Sequence, residues 1–115
     1  MDQRDLTRVL DWHQLRDITL DDEALMREII ATLIDDTTRQ MQLLDAAIRE
    51  EDVTRCMRLA HYSKGACANV GASSAAAILK HIETTAANRD FRECSAALAR
   101  LNHEVDLLRS EAVSL

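Results

Sequence analysis

Residues 25–48, LMREIIATLIDDTTRQMQLLDAAI, decide the fold class of this chain. Side chains that can be buried recur along this stretch at spacings of three and four residues. They are Leu25, Ile29, Ile30, Leu33, Thr37, Met41, Leu44 and Ile48. Because an α-helix turns once every 3.6 residues or so, this spacing places all of them on one face. The stretch is therefore predicted to form an amphipathic helix of roughly seven or eight turns.

The same spacing continues on the C-terminal side. A helix capped by Asp52 would bury Val53, Cys56, Ala60, Cys67 and Val70, with Ser63 interrupting the stripe, and would end around Asn69 and Gly71. A helix capped by Ser73 or Ser74 would bury Ala75, Ile78 or Leu79, Ile82 and Ala86. A last helix, capped by Asp90, would bury Phe91, Cys94, Leu98, Leu101, Val105, Leu108 and Ala112. These caps and stripes predict three further helices.

On the N-terminal side, Leu6, Val9, Leu10 and Trp12 predict a short helix that ends before Thr19, and Asp21 or Asp22 would cap the long helix. The chain has no proline and only two glycines, which favours long helices joined by short turns. Short turns make consecutive helices antiparallel neighbours. The sequence thus predicts an all-α fold in one domain over residues 1–115, an antiparallel up-down four-helix bundle with an additional short N-terminal helix.

Charge and composition exclude several classes of function. The net charge of −6 disfavours binding to nucleic acid, which requires a basic surface. No apolar run reaches the length that spans a bilayer, and the N-terminus lacks a signal-peptide core, so a cytoplasmic location without direct membrane contact is expected. The three cysteines contain no CxxC pair and are expected at core positions. The absence of HxxxH, CxxC and ExxH pairs disfavours a metal site.

One strip of the third helix does not fit a purely structural interpretation. In helical projection, His61 and Gly65 lie away from the apolar stripe, and Lys64 lies on the same side as His61. A glycine inside a helix costs about 0.5–1 kcal/mol relative to alanine, and on an outer face nothing within the domain needs the space. The glycine adjoins an imidazole, which can act as a neutral nucleophile near neutral pH. Met57 and Ala68 complete this strip, and Arg58 lies one turn before His61.

Residues 60–65, AHYSKG, followed by residues 69–72, NVGA, resemble the signature of histidine phosphotransfer (HPt) domains, AHxLKG followed by a GA pair. The resemblance extends over nearly the whole chain, through the acidic cap around Asp21 to Ile82 and Glu83. It departs from the signature at Ser63, where the family usually has an apolar residue, and at Ala66, where a small polar residue is common. If Ser63 is buried, its hydroxyl is expected to bond back to the carbonyl of Leu59.

The resemblance implies a phosphocarrier of bacterial two-component phosphorelays. His61 would accept a phosphoryl group from a receiver-domain aspartate and pass it to another receiver, with Lys64 giving electrostatic support and Gly65 giving the partner access. Met57, Arg58 and Ala68 would contact the partner. The chain would need no cofactor of its own, because Mg²⁺ would come with the receiver, and it would be a monomer without stand-alone turnover.

Three alternatives stay open at the sequence level. The chain could be the C-terminal HPt domain of a hybrid sensor histidine kinase, or a module that docks a receiver without accepting phosphate. A plain structural bundle is the third, and it would leave an exposed Gly65 unexplained. His13, His81 and His103 are expected to be ordinary surface or interface residues.

Overall fold

The computed structural model describes residues 8–115, and these residues form five α-helices and no strand. The helices are α1 (Trp12–Thr19), α2 (Glu23–Arg49), α3 (Val53–Val70), α4 (Ser73–Ala87) and α5 (Phe91–Val113). The predicted all-α fold is confirmed. None of the described helices combines the length and the apolar character that a membrane crossing requires.

Helices α2 to α5 form a four-helix bundle in which each packs against two others. Helix α2 contacts α3 and α5, and α4 contacts the same two helices, so α3 and α5 are diagonal to each other. Neighbours are antiparallel, since Arg27 near the start of α2 donates to the carbonyl of Leu115 just beyond α5. Helix α1 packs on α2 and α3, and Trp12 Nε1 donates to Glu111 Oε1 near the end of α5. The predicted bundle and its additional N-terminal helix are confirmed.

Aspartates start most of these helices. The side chains of Asp22, Asp52 and Asp90 accept the backbone N–H of the residue three positions later, which confirms these predicted caps. The predicted serine cap of α4 is wrong. Gly71 ends α3 in a left-handed conformation, so Ala72 takes the cap position without a side-chain hydrogen bond and Ser73 is already helical.

The short first helix starts later than predicted. Asp11 caps it, and the helix begins at Trp12 and includes Thr19, so Val9 and Leu10 precede it. Leu6 lies outside the described residues. Leu10 is nevertheless buried, because the segment before α1 is fixed to the α3–α4 turn by a hydrogen bond of 2.8 Å from Asp11 N to Gly71 O.

The core contains most of the predicted apolar stripes. The start of α2 differs from the prediction, because Met26 is buried there and the predicted core residue Leu25 is exposed. Met26 lies at the end of the bundle that α1 covers, where it lines a cavity together with Trp12. All three cysteines are free and buried, as predicted. Burial raises the pKa of Cys56 and Cys67 to about 11, which keeps these thiols protonated and unreactive at neutral pH.

Ser63 is buried on the core side of α3, but its hydroxyl has no hydrogen-bond partner among residues 8–115. The expected bond to the Leu59 carbonyl is absent, although Thr19 and Thr38 make such bonds four residues back in their own helices. An unsatisfied buried hydroxyl costs free energy, about 1–3 kcal/mol. The buried hydroxyl of Ser63 is therefore expected to lower the stability of the domain.

We expect Ser63→Ala to raise the free energy of unfolding by about 1–2 kcal/mol, since alanine removes the unsatisfied hydroxyl and favours the helix. Chemical denaturation measures the change. Ser95→Ala on the exposed face of α5 is the matched control, because it reports the helix-propensity gain alone. Equal gains in the two variants would show that the Ser63 hydroxyl costs nothing.

Candidate functional site

His61 lies near the middle of α3, and 68% of its side chain is exposed to solvent. The residues before and after it on the inner side of the helix, Ala60 and Ser63, are buried in the core. The core therefore fixes the rotation of α3, and the helix presents the imidazole outward. This exposed position agrees with the helical projection.

Glu83 of α4 holds both His61 and Lys64 through one carboxylate. Its Oε2 lies 3.1 Å from His61 Nδ1, and its Oε1 accepts a hydrogen bond of 2.8 Å from Lys64 Nζ. The hydrogen bond from Lys64 is the main cause that lowers the pKa of Glu83, and the positive charge of Lys64 and the contact with His61 add to it. The carboxylate is therefore ionised at neutral pH.

This contact assigns the proton on the imidazole. An ionised carboxylate can only accept hydrogen bonds, so the ring nitrogen that contacts Glu83 must carry a hydrogen. In a neutral imidazole with a proton on Nδ1, Nε2 keeps a free lone pair. The arrangement thus leaves Nε2 of His61 with a free lone pair on an exposed surface.

Sequence reasoning did not assign a role to Glu83. The residue was part of the family resemblance, next to Ile82, which was predicted to be buried. Ile82 is indeed fully buried, and Glu83 follows it at the boundary between core and solvent, with 23% of its side chain exposed. The position of Glu83 at the border of the α4 apolar stripe could have indicated a carboxylate that contacts a neighbouring helix. Spacing alone does not identify which helix that is.

Lys64 follows His61 by one helical turn, and only 27% of its side chain is exposed. Its ammonium group contacts Glu83 and so lies next to the carboxylate that also contacts the imidazole. A single ion pair therefore holds a positive charge within the same small cluster as the His61 imidazole. An anion that arrives at Nε2 would meet this charge nearby.

Gly65 lies on the exposed face of α3, next to Lys64. A Cβ atom built at this position would have no neighbour within 4 Å in the described part of the chain. Internal packing therefore gives no reason for the glycine, in contrast to Gly71, where a Cβ would lie 3.0 Å from the backbone oxygen of Asp11. The space above Gly65 is open for a molecule outside the chain.

The remaining predicted contact residues differ in their exposure. Arg58 and Ala68 are exposed, whereas Met57 is partly buried against the core. The carbonyl of Ala68 accepts a hydrogen bond of 2.7 Å from Gln14 Nε2 of α1. Sequence reasoning gave no role to Tyr62, which is 55% exposed and donates a hydrogen bond to Asp36 of α2.

Groups of three or more His, Cys, Asp or Glu side chains that could hold a metal ion do not occur among residues 8–115. Two other histidines in this range lie near a carboxylate: His13 Nε2 is 3.6 Å from Asp17 Oδ2, and His81 Nε2 is 2.8 Å from Glu93 Oε2. Neither of them is followed by a lysine and a glycine three and four residues later, as His61 is by Lys64 and Gly65. The cluster of His61, Lys64 and Glu83 is therefore the candidate functional site.

Comparison with known proteins agrees with this assignment at the level of family and fold. The family model of the Hpt domain matches residues 28–111. A crystal structure of histidine-containing phosphotransfer protein B (HptB) from Pseudomonas aeruginosa PAO1 matches with a TM-score of 0.84, at 23% sequence identity and over 92% of each chain. At that identity the match shows a shared fold. No curated protein sequence is significantly similar to this chain.

Proposed function

Because this chain belongs to the Hpt domain family, whose members carry phosphoryl groups in two-component signalling, we propose that His61 accepts a phosphoryl group from the phosphorylated aspartate of one receiver domain and passes it to another. The observation that carries the proposal is the contact between Glu83 and His61 Nδ1, which leaves Nε2 free on the open surface beside Gly65.

Phosphoryl transfer from the aspartate to His61 needs no general base. The lone pair of Nε2 forms the N–P bond as the O–P bond to the donor aspartate breaks, and the aspartate leaves as a carboxylate with the bonding electrons. Nε2 carries no proton that must be removed, and the proton on Nδ1 stays in its hydrogen bond to Glu83. Transfer to the next receiver reverses these changes on another aspartate.

The chain's own groups supply position and one positive charge. Phosphoryl transfer passes through a loose transition state whose charge is spread over the equatorial oxygens, so positioning and charge neutralisation dominate the rate. Lys64 supplies one cation, and Mg²⁺ bound to the receiver would supply most of the remainder. We therefore propose a monomeric carrier with no cofactor of its own and no turnover alone.

Transfer of label from a phosphorylated receiver tests the proposal. The chain is mixed with each of a panel of receiver domains carrying ³²P-aspartyl phosphate, and the label on the chain is followed with time. The expected product is acid-labile and base-stable, as an N–P bond requires. A chain that binds receivers but takes no label from any of them would instead be the docking module that its sequence left open.

We expect Glu83→Ala to slow phosphoryl transfer about tenfold, because the variant loses the contact that fixes the Nδ1 proton. A hydrogen bond to a charged group contributes about 1.5–3 kcal/mol, and about 1.4 kcal/mol corresponds to a factor of ten. Glu83→Gln should lose less, since an amide oxygen still accepts from Nδ1. Single-turnover transfer measures both rates, and Glu93→Ala, which frees His81 instead, is the control. Equal transfer rates for Glu83→Ala and wild type would show that the contact of Glu83 with His61 does not support transfer.

The same carboxylate should also influence stability in acid. A carboxyl group whose pKa is lower in the folded chain stabilises the fold above its unfolded-state pKa, and this contribution is lost as the pH falls through the lowered value. Glu83→Gln should therefore show a shallower loss of stability than wild type from about pH 5 to pH 3. Denaturation at a series of pH values measures the slope, and identical slopes would contradict the inferred ion pair.

A further inference from the structure

A groove of about 380 Å³ lies between α3 and α4, next to the candidate site. Its lining residues come from three helices: Gln14, Lys64, Ala68, Asn69, Ser73, Ala76, Ala77 and Lys80. The alanines have the smallest side chains after glycine, so they let an extended segment of another chain approach the two helices closely. Gln14 belongs to α1, and its contact with the carbonyls of Ala68 and Asn69 holds that helix at the groove.

Two lysines line the groove although the whole chain is acidic. Among the described residues, Lys64 and Lys80 line it and no carboxylate does, whereas the net charge of the chain is −6. Within residues 8–115, Lys64 forms an ion pair with Glu83, but no carboxylate lies within 4.0 Å of the Lys80 ammonium group. Lys80 is exposed and therefore available to a partner.

Lys64 links the groove to the phosphoryl-accepting site. It lines the groove, and it shares the Glu83 carboxylate with His61. A receiver that reaches Nε2 of His61 over Gly65 lies next to this groove. The occupant that fits both the position and the charge is a segment of the receiver itself that carries carboxylates.

We infer that the α3–α4 groove binds an acidic segment of the partner receiver and that Lys80 is its main cationic contact. This inference rests on the proposed function. Asn69 and Ser73 add side chains that can hydrogen-bond the main chain of the bound segment. Lys80 acts on complex formation and touches neither the imidazole nor the phosphoryl group, so it is a specificity-determining residue.

Charge reversal at Lys80 tests the inference. We expect Lys80→Glu to raise the dissociation constant for the receiver that exchanges phosphoryl groups with this chain by about tenfold at low salt, since a like charge then opposes the acidic segment. The difference should shrink at high salt, because salt screens exposed charges. Arg92→Glu on α5 is the control, because it changes the net charge equally at an exposed position away from the groove.

Labelling with phosphoramidate separates this inference from the proposed function. This small donor forms the N–P bond with release of ammonia and needs no receiver. The inference holds if two results are obtained together. Wild type and Lys80→Glu must be labelled equally by phosphoramidate, and Lys80→Glu but not Arg92→Glu must bind the receiver more weakly. Equal dissociation constants for Lys80→Glu and Arg92→Glu would overturn it and leave the proposed function intact. Failure of wild type to label at all would overturn the proposed function instead.

A compensating change in the receiver gives the sharpest result. An acidic residue of the docked segment is replaced by lysine, and binding is measured for all four combinations of wild-type and altered chains. Recovery of affinity only when both charges are reversed would place the two residues in contact. Strictly additive losses across every acidic residue tested would contradict the groove as the binding site.

Discussion

His61→Gln is expected to fold as wild type does and to accept no phosphoryl group from any receiver. Glutamine has no nucleophilic nitrogen, so labelling should fall to background. The position is exposed on a helix, and glutamine is at least as good a helix former as histidine, so the free energy of unfolding should change by no more than about 0.5 kcal/mol. Circular dichroism and denaturation measure folding, and ³²P transfer measures the label.

His81→Gln is the matched control for this variant. His81 is also exposed and also contacts a carboxylate, Glu93, at 2.8 Å. It lies on α4 without a neighbouring lysine–glycine pair, so its replacement should leave labelling unchanged. Label that persists in His61→Gln and disappears in His81→Gln would move the acceptor to α4 and contradict the site assignment.

Gly65→Glu is expected to fold and yet to be nearly inactive in phosphoryl transfer. A Cβ at Gly65 meets no atom of residues 8–115 within 4 Å, so the fold should tolerate a larger side chain there. That side chain would occupy the approach to Nε2, and a displacement of about 1 Å of the reacting atoms can cost a hundredfold in rate. Single-turnover transfer should therefore slow by about a hundredfold or more, whereas denaturation should show a stable fold.

Gly65→Ala separates the effect of this position on stability from its effect on the rate of phosphoryl transfer. Alanine should raise the free energy of unfolding by about 0.5–1 kcal/mol, because it favours the helix and restricts the unfolded chain. It should still slow transfer, though less than glutamate does. Ala96→Glu on α5 adds the same charge on the helix diagonal to α3 and should transfer normally. Wild-type transfer by Gly65→Glu would show that the glycine has no part in partner access.

The parts of the fold that depend on local sequence could be predicted. The aspartate caps at Asp22, Asp52 and Asp90 act on the backbone three residues away, so the sequence contains both partners of each hydrogen bond. The outward position of His61 follows likewise from the stripe that contains Ala60 and Cys67, since a helix cannot rotate without exposing its apolar face.

The parts that depend on how helices meet could not be predicted. The contact between Glu83 and His61 joins α4 to α3 and requires the relative rotation and height of the two helices. The burial of Met26 in place of Leu25 likewise depends on α1, which crosses the end of the bundle. Ser73 and Ser74 have the residue type of a cap, but the tight turn at Gly71 places both inside α4.

The open surface around Gly65 also has a kinetic consequence. Under the proposed function, one imidazole on one face serves every partner, so a phosphate donor and a phosphate acceptor would compete for the same position and could not be bound there together. Each transfer then requires that one receiver dissociate before the next binds, and the overall flux is limited by residence times once the chemical step is fast. An excess of the unphosphorylated donor receiver would therefore act as a competitive inhibitor and slow forward transfer.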